Sequence, residues 1–307
     1  MRKTALEWVE KLANQDPRIV FIGSDLGAGT LENMKRNQPD RFFMEGVSEQ
    51  HIIGMAAGLA MEGFIPYVNT IATFLTRRCY EQICLDLCLH DLPVRLIANG
   101  GGYVYAPLGP THLATEDLAV MRALPNMTVV APCDADEMAR LMSITLQWPH
   151  PIYIRLAKGG DKIVSRPELG FQIGKGISME EGEEILMIST GIMLQRAFQI
   201  RENLMQHGLS IGILHLHTLK PLDVPAILQN ASGKKLLVTL EEHSLIGGLG
   251  SVVLETLSDH IDNPLPAVLR FGLPDQFSQK YGSQDKLLDS QGLSSELLTK
   301  RILSALN

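Results

Sequence analysis

Short apolar, β-branched runs alternate with longer stretches whose apolar positions recur at helical spacing, and this rhythm continues through most of the chain. The short runs predict buried strands over 19–25, 65–69, 94–98, 128–132 and 152–156, each followed by a polar or Gly/Pro turn. Helical spacing predicts helices over 3–13, 48–61, 73–90 and 134–147. Thr73 and Asp134 stand where an N-cap side chain would accept from the exposed first-turn N–H groups. Such alternation calls for a parallel sheet covered by helices on both faces. The rhythm pauses over 157–184, a stretch rich in Gly, Pro and charge with room for a brief strand around 171–177. It resumes with strands over 185–189, 210–216, 236–240 and 267–271, helices over 194–207 and 294–306, and another helix after the glycines at 247–250. The expected organisation is an α/β domain over 1–165, a linker over 166–183 and a smaller α/β domain over 184–307.

Composition sharpens this picture. The 307 residues are 45% hydrophobic and 20% charged, ordinary values for a globular protein. That length matches two domains of about 150 residues. Lys+Arg 27 against Asp+Glu 34 leaves a net charge of −7 with no basic run, which argues against a nucleic-acid partner. A phosphorylated substrate stays open, because one placed arginine suffices locally. Cys79, Cys84, Cys88 and Cys133 form no C-x-x-C pair, so they read as buried reduced thiols. Met1-Arg2-Lys3-Thr4 carries charge where a signal peptide is apolar, and the apolar run 52–61 is too short to span a bilayer. A cytoplasmic protein is expected.

Glycine-rich turns need testing, because open α/β sheets bind ligands at the carboxyl ends of strands. Gly27-Ala28-Gly29-Thr30-Leu31-Glu32 places Glu32 where a dinucleotide fingerprint needs a third glycine. Gly248-Leu249-Gly250 fails in the same way at Val253, and no P-loop occurs. The turn 247–250 either binds an anion or packs chains together. The triplet Gly100-Gly101-Gly102 permits close approach of another group.

Four polar or aromatic positions carry candidate chemistry. Glu49, in Gly46-Val47-Ser48-Glu49-Gln50-His51, is either a first-turn acid favoured by the helix dipole or a buried carboxylate placed for proton chemistry. Phe74 follows the strand 65–69, where the ordinary reading is a core aromatic. Gly109-Pro110-Thr111-His112 presents a hydroxyl and an imidazole on a rigid turn, suited to acid/base or oxyanion work. Arg155 interrupts an apolar strand, as a structural ion pair or as a phosphate clamp at the strand end.

Taken together and in this order, these stretches resemble the C-terminal half of transketolase, with the related deoxyxylulose-phosphate synthases and, more distantly, the β-subunits of 2-oxo acid dehydrogenases. The likeness rests on Gly46-Val47-Ser48-Glu49-Gln50, Ala72-Thr73-Phe74 with Tyr80-Glu81-Gln82-Ile83, Gly109-Pro110-Thr111-His112, Leu124-Pro125-Asn126-Met127 through Ala131-Pro132-Cys133-Asp134, and Ile154-Arg155. In the second domain it rests on Ser189-Thr190-Gly191, Leu219-Lys220-Pro221-Leu222-Asp223 and Glu241-Glu242-His243 with Gly247-Gly248-Leu249-Gly250. The resemblance implies a thiamine-diphosphate-binding α/β fold, a pyrimidine domain followed by a transketolase C-terminal domain.

That family holds thiamine diphosphate between a pyrimidine-binding domain and a second domain carrying diphosphate and metal, marked by Gly-Asp-Gly. This sequence contains no Gly-Asp-Gly. The resemblance therefore implies the C-terminal subunit of a split transketolase. An N-terminal subunit would hold Mg²⁺ (or Ca²⁺ or Mn²⁺) in an α2β2 heterotetramer. Carried over residue by residue, Glu49 would hydrogen-bond the aminopyrimidine and Phe74 would stack on it. Asp25, Leu26 and Ile71 would line its pocket. His112 would contact substrate oxygens at the reacting carbons, and Arg155 would bind the sugar phosphate, with Arg2 as the second candidate for that role.

The sequence departs from the family at Leu108, which stands where an acidic residue usually contacts a substrate hydroxyl, and at Ile71, near where a second aromatic is common. Gly29 and Thr30 stand where a phosphate-binding serine is frequent. An unusual donor or acceptor is expected, such as a branched or modified sugar. The competing readings are a 2-oxo acid dehydrogenase β-subunit and a non-catalytic assembly subunit.

Overall fold

The computed structural model describes residues 1–24, 30–260 and 266–306. The first unit runs α1 (Arg2–Gln15), β1 (Ile19–Gly23), α2 (Glu32–Asn37), β2 (Phe42–Met44), α3 (Glu49–Met61), β3 (Ile65–Ile71), α4 (Tyr80–Gln82), β4 (Arg95–Asn99), α5 (Asp117–Arg122), β5 (Thr128–Val130), α6 (Ala135–Thr145) and β6 (Ile152–Leu156). The second runs β7 (Ile177–Glu180), β8 (Ile185–Ser189), α7 (Met193–Met205), β9 (Ile211–His215), β10 (Thr218–Lys220), α8 (Val224–Ala231), β11 (Leu236–Ser244), α9 (Leu249–His260), β12 (Ala267–Leu273), α10 (Gln284–Ser290) and α11 (Ser295–Leu306).

The first sheet has seven strands in the order β10-β5-β6-β4-β3-β1-β2, parallel except for β10. Helix α1 turns Ala5, Leu6, Val9, Leu12 and Ala13 onto one face of this sheet, beside Met138, Leu141 and Met142 of α6. Ile52, Ile53, Ala56 and Ala57 of α3 pack on the other face with Leu75, Ile83 and Leu87. Both faces are covered, and β1, β4 and β6 are buried along their whole length, as uninterrupted apolar strands require. The second sheet, β12-β11-β8-β9-β7, is parallel except for β7. Among the described residues no helix is long and apolar enough to cross a membrane.

Three expectations are corrected. The stretch 166–183 contains β7, which pairs with β9, so it is part of the second unit and not only a linker. The second unit also returns a strand: β10 leaves it and pairs antiparallel with β5 at the edge of the first sheet. Its Lys220 Nζ then donates to the carbonyls of Arg122 and Leu124 at the end of α5. The helix expected over 73–90 forms, but with π-helical stretches at Phe74–Arg78 and Ile83–Cys88 on either side of α4. Thr73 sits inside this turn in helical backbone and makes no cap, whereas Asp134 accepts from the Glu137 N–H at 2.9 Å as expected.

The glycine turn at 247–250 opens α9, and its anion position is filled from within. The Glu241 carboxylate accepts from the N–H of Leu249 at 2.7 Å and of Gly250 at 2.9 Å. The second sheet changes winding direction between β8 and β11, the place where such sheets usually bind ligands. Here the first unit covers that crevice with Gly101, Ala131 and Pro132, and Gly191 N–H donates to the Ala131 carbonyl at 3.1 Å. The second unit thus spends both of its ready-made anion positions on packing.

Candidate active site

Strands β1, β3, β4 and β6 are parallel, so their carboxyl ends open on one side, and four elements converge there. Glu49 opens α3, and its side chain is 1% exposed. A carboxylate at that depth needs a counter-charge. Arg78 supplies it: Nη1 lies 2.6 Å from Glu49 Oε2. The same guanidinium lies 4.5 Å from the ring centre of Phe74, a cation–π contact. Phe74 meets His112 edge-on, with ring centroids 5.2 Å apart. His112 Nδ1 pairs with the Thr111 hydroxyl at 2.9 Å. Glu49, Arg78, Phe74 and His112 therefore form one continuous chain of contacts across the open end.

Local backbone explains why these groups meet. π-helical turns widen a helix and recur at functional sites. Here the turn presents Arg77 and Arg78 to different partners. Arg77 pairs with Glu116 and donates to the Leu113 carbonyl at 3.0 Å, tying the helix to the loop that carries His112. Gly109 adopts φ +78°, and a Cβ there would lie 2.5 Å from the ring of Tyr281. The positive φ calls for glycine, and the missing side chain lets the exposed Tyr281 ring lie against the turn.

The structure brings Glu49, Phe74 and His112 together. Ile71 ends β3, half-buried, three residues before Phe74. Leu108 is 51% exposed in the short 3₁₀ turn preceding Gly109. Arg2 begins α1 at the same open end, where the neighbouring Met1 amino group is held near Asp161 and Asp134. Asp25, Leu26 and Gly29 lie outside the described residues. Arg78 was missed from sequence, where Arg77-Arg78 looks like an ordinary charged helix face. Arg78→Ala is expected to leave the buried Glu49 without its counter-charge and cost about 1–3 kcal/mol, measured by urea unfolding of the isolated chain.

Arg155 takes the first of its two expected roles. Its guanidinium is buried and donates to Asp117 through Nε at 2.9 Å and Nη2 at 3.0 Å. Nη2 also reaches the carbonyls of Ala114 at 3.0 Å and Glu242 at 2.9 Å, and the Tyr153 hydroxyl donates to the same Asp117. A guanidinium committed to a buried carboxylate and two carbonyls is a joint between the two units and not an open phosphate clamp. Gly101 and Gly102 make room for it: a Cβ on either would collide with Arg155 or Glu242.

Other buried charges also join the two units. Glu137 Oε2 accepts from the Cys133 N–H at 2.7 Å and faces His215 Nε2 at 3.1 Å. Burial pushes the Glu137 carboxyl up, but His215, His217 and that N–H outweigh it and hold it at about 2. Burial pushes Glu242 up to about 7 despite Arg155, Gln284 and the Tyr103 N–H. A carboxyl raised on folding stabilises most below its unfolded value and loses that contribution as pH rises through its folded value. Glu242→Gln is therefore expected to gain stability relative to the wild type as pH rises from about 4.5 to about 7. Urea unfolding of both proteins at about pH 5 and about pH 8 measures this difference.

The family described as "Transketolase, pyrimidine binding domain" matches residues 1–160, and "Transketolase, C-terminal domain" matches 174–297. An apulose-4-phosphate transketolase subunit of Phocaeicola vulgatus is 33% identical over 304 residues, covering 98% of this chain and 96% of that protein. The 1-deoxy-D-xylulose-5-phosphate synthase of Microcystis aeruginosa is 37% identical over 300 residues, 96% of this chain but 46% of that enzyme. This chain thus spans about half the length of such synthases. The solved structure of a "Split gene transketolase, inactive beta4 tetramer" superposes with a TM-score of 0.88 at 33% identity, covering 99% of this chain and 97% of that one. The domains, their order and these likenesses agree with the two-unit α/β fold, and the chain belongs to the transketolase family.

Proposed function

We propose that this chain is the C-terminal, pyrimidine-binding subunit of a thiamine-diphosphate-dependent transketolase, a transferase that moves a two-carbon ketol unit between sugar phosphates. The observation that carries this reading is the buried Glu49 carboxylate beside the half-buried face of Phe74, with His112 against the same ring. These residues fit the aminopyrimidine half of the cofactor: an acceptor for a ring nitrogen, and an aromatic plane to stack on. They do not fit the diphosphate half, since the cation nearest Glu49 is engaged with it and the sequence has no Gly-Asp-Gly.

A partner subunit would therefore bring diphosphate contacts and Mg²⁺, and assembly as α2β2 in the cytoplasm is part of the proposal. The outward face of α3 supports such docking. Gly54, Gly58 and Met61 are exposed there, with nothing near the two glycines. A helix this apolar with a glycine-lined outer face is built for close backbone approach. The relatives' names point the same way, one being a transketolase subunit and one an inactive β4 tetramer.

Thiamine diphosphate, once bound, would supply a nucleophilic carbon for chemistry at the ketose carbonyl. The chain's own residues bind and orient. Glu49 accepts a hydrogen bond from the aminopyrimidine ring and so tunes its protonation. Phe74 fixes the plane of that ring. His112, its Nδ1 held by Thr111, turns Nε2 to the substrate oxygens. With Arg155 engaged elsewhere, the exposed Lys158 just past β6 and Arg2 at the start of α1 are the cations offered to a sugar phosphate. Reconstitution tests the reading: adding the N-terminal subunit, thiamine diphosphate and Mg²⁺ should create ketol transfer that neither chain has alone. Decarboxylation of 2-oxo acids without ketol transfer would indicate a dehydrogenase β-subunit. No heat of cofactor binding to the assembled pair would indicate a scaffold.

A further inference from the structure

The loop that carries His112 is shared between the two units. Gly109, Pro110, Thr111 and His112 come from the first, but the ring lying on Gly109 is Tyr281 of the second. That ring sits where any side chain at 109 would be, and Tyr281 is still 66% exposed. Next along the loop is Leu108, half-exposed and unable to accept a hydrogen bond. The second unit holds Tyr281 there through the neighbouring start of α10. Ser283 caps that helix, and Gln284 donates to both oxygens of Glu242 at 2.9 Å. Glu242 in turn accepts from the Tyr103 N–H on the first unit's loop at 2.8 Å.

Resting on the transketolase reading above, we infer that Tyr281 is a specificity-determining residue for the sugar substrate. Its ring on Gly109 and the exposed Leu108 next in the chain put apolar surface, with one phenolic hydroxyl, on the turn that carries His112. Such a surface favours a substrate that turns carbon toward Leu108, such as an aldehyde branched near its carbonyl. It disfavours one that turns a hydroxyl there, because that hydroxyl loses water and finds no acceptor on leucine. Aromatic packing rather than charge then selects the acceptor, and the residue responsible comes from the unit that otherwise serves as packing.

The test uses the enzyme assembled with its N-terminal subunit, thiamine diphosphate and Mg²⁺. The probes are two aldehyde acceptors, glyceraldehyde 3-phosphate and an analogue with a methyl group in place of the hydroxyl next to the carbonyl. Tyr281→Ala is expected to change the ratio of kcat/KM between the two by about tenfold, chiefly through KM. Tyr281→Phe keeps the ring and is expected to stay closer to the wild-type ratio. A residue that only packs the loop would lower kcat for both acceptors together and leave the ratio within about twofold. That result overturns the inference. If Tyr281→Ala does not fold, an unchanged ratio in Tyr281→Leu serves the same purpose. Absence of ketol transfer by the wild type would overturn the transketolase reading and this one with it, whereas wild-type turnover with unchanged ratios overturns this one alone.

Discussion

Glu49→Gln in the assembled enzyme is expected to lower ketol transfer by about 10²–10⁴-fold while the chain stays folded. The amide is nearly the size of the carboxylate and keeps an oxygen for Arg78, so the start of α3 has no reason to unravel. What it loses is the negative charge that lets position 49 pull a proton onto the aminopyrimidine ring. The contrast between unfolding and turnover is the informative readout. Circular dichroism melts of the isolated chain should nearly coincide for wild type and variant. Initial rates of the reconstituted enzyme should not. Full activity in Glu49→Gln would sink the proposed role of this carboxylate, whatever else the enzyme does.

The largest expected effect on stability belongs to Arg155. Arg155→Met removes a buried guanidinium whose partners are Asp117 and the carbonyls of Ala114 and Glu242. Methionine fills part of the volume but leaves the Asp117 carboxylate buried, with the Tyr153 hydroxyl as its remaining side-chain donor among the described residues. Breaking a buried pair in this way costs about 3–5 kcal/mol. Because one of the lost bonds reaches the second unit, the loss should appear in the unfolding of both units together. Asp117→Asn in the same background should recover part of it, because the uncompensated charge is then gone. A variant that melts like the wild type but loses affinity for sugar phosphate would restore the clamp reading that the geometry displaces.

The sequence was legible where one periodicity dominates. The buried parallel strands announce themselves as apolar runs, and Asp134 announces α6 because an N-cap acts through its nearest neighbours. Glu49, Phe74 and His112 were legible because each stands at the end of such an element, and topology then brings those ends together. What stayed hidden depends on long-range partners. The three residues of β10 carry no periodic signal and become a strand only against β5. Thr73 looks like a cap, but helical backbone continues back through it to Ala72. Arg155 fits two roles equally well in the sequence, and its partner Asp117 lies thirty-eight positions away. Arg78 and Tyr281 matter through contacts with residues far along the chain, and neither stands in a motif.

The short strand β10 also bears on how such a protein can be divided. This chain matches about half of a longer synthase and nearly the whole of a separate transketolase subunit. A cut at the junction between its own two units would strip β10 from the first sheet, leave the row of backbone groups on β5 open to any passing strand, and remove the lysine that closes the end of α5. The return of three residues across the boundary makes the two units one indivisible piece.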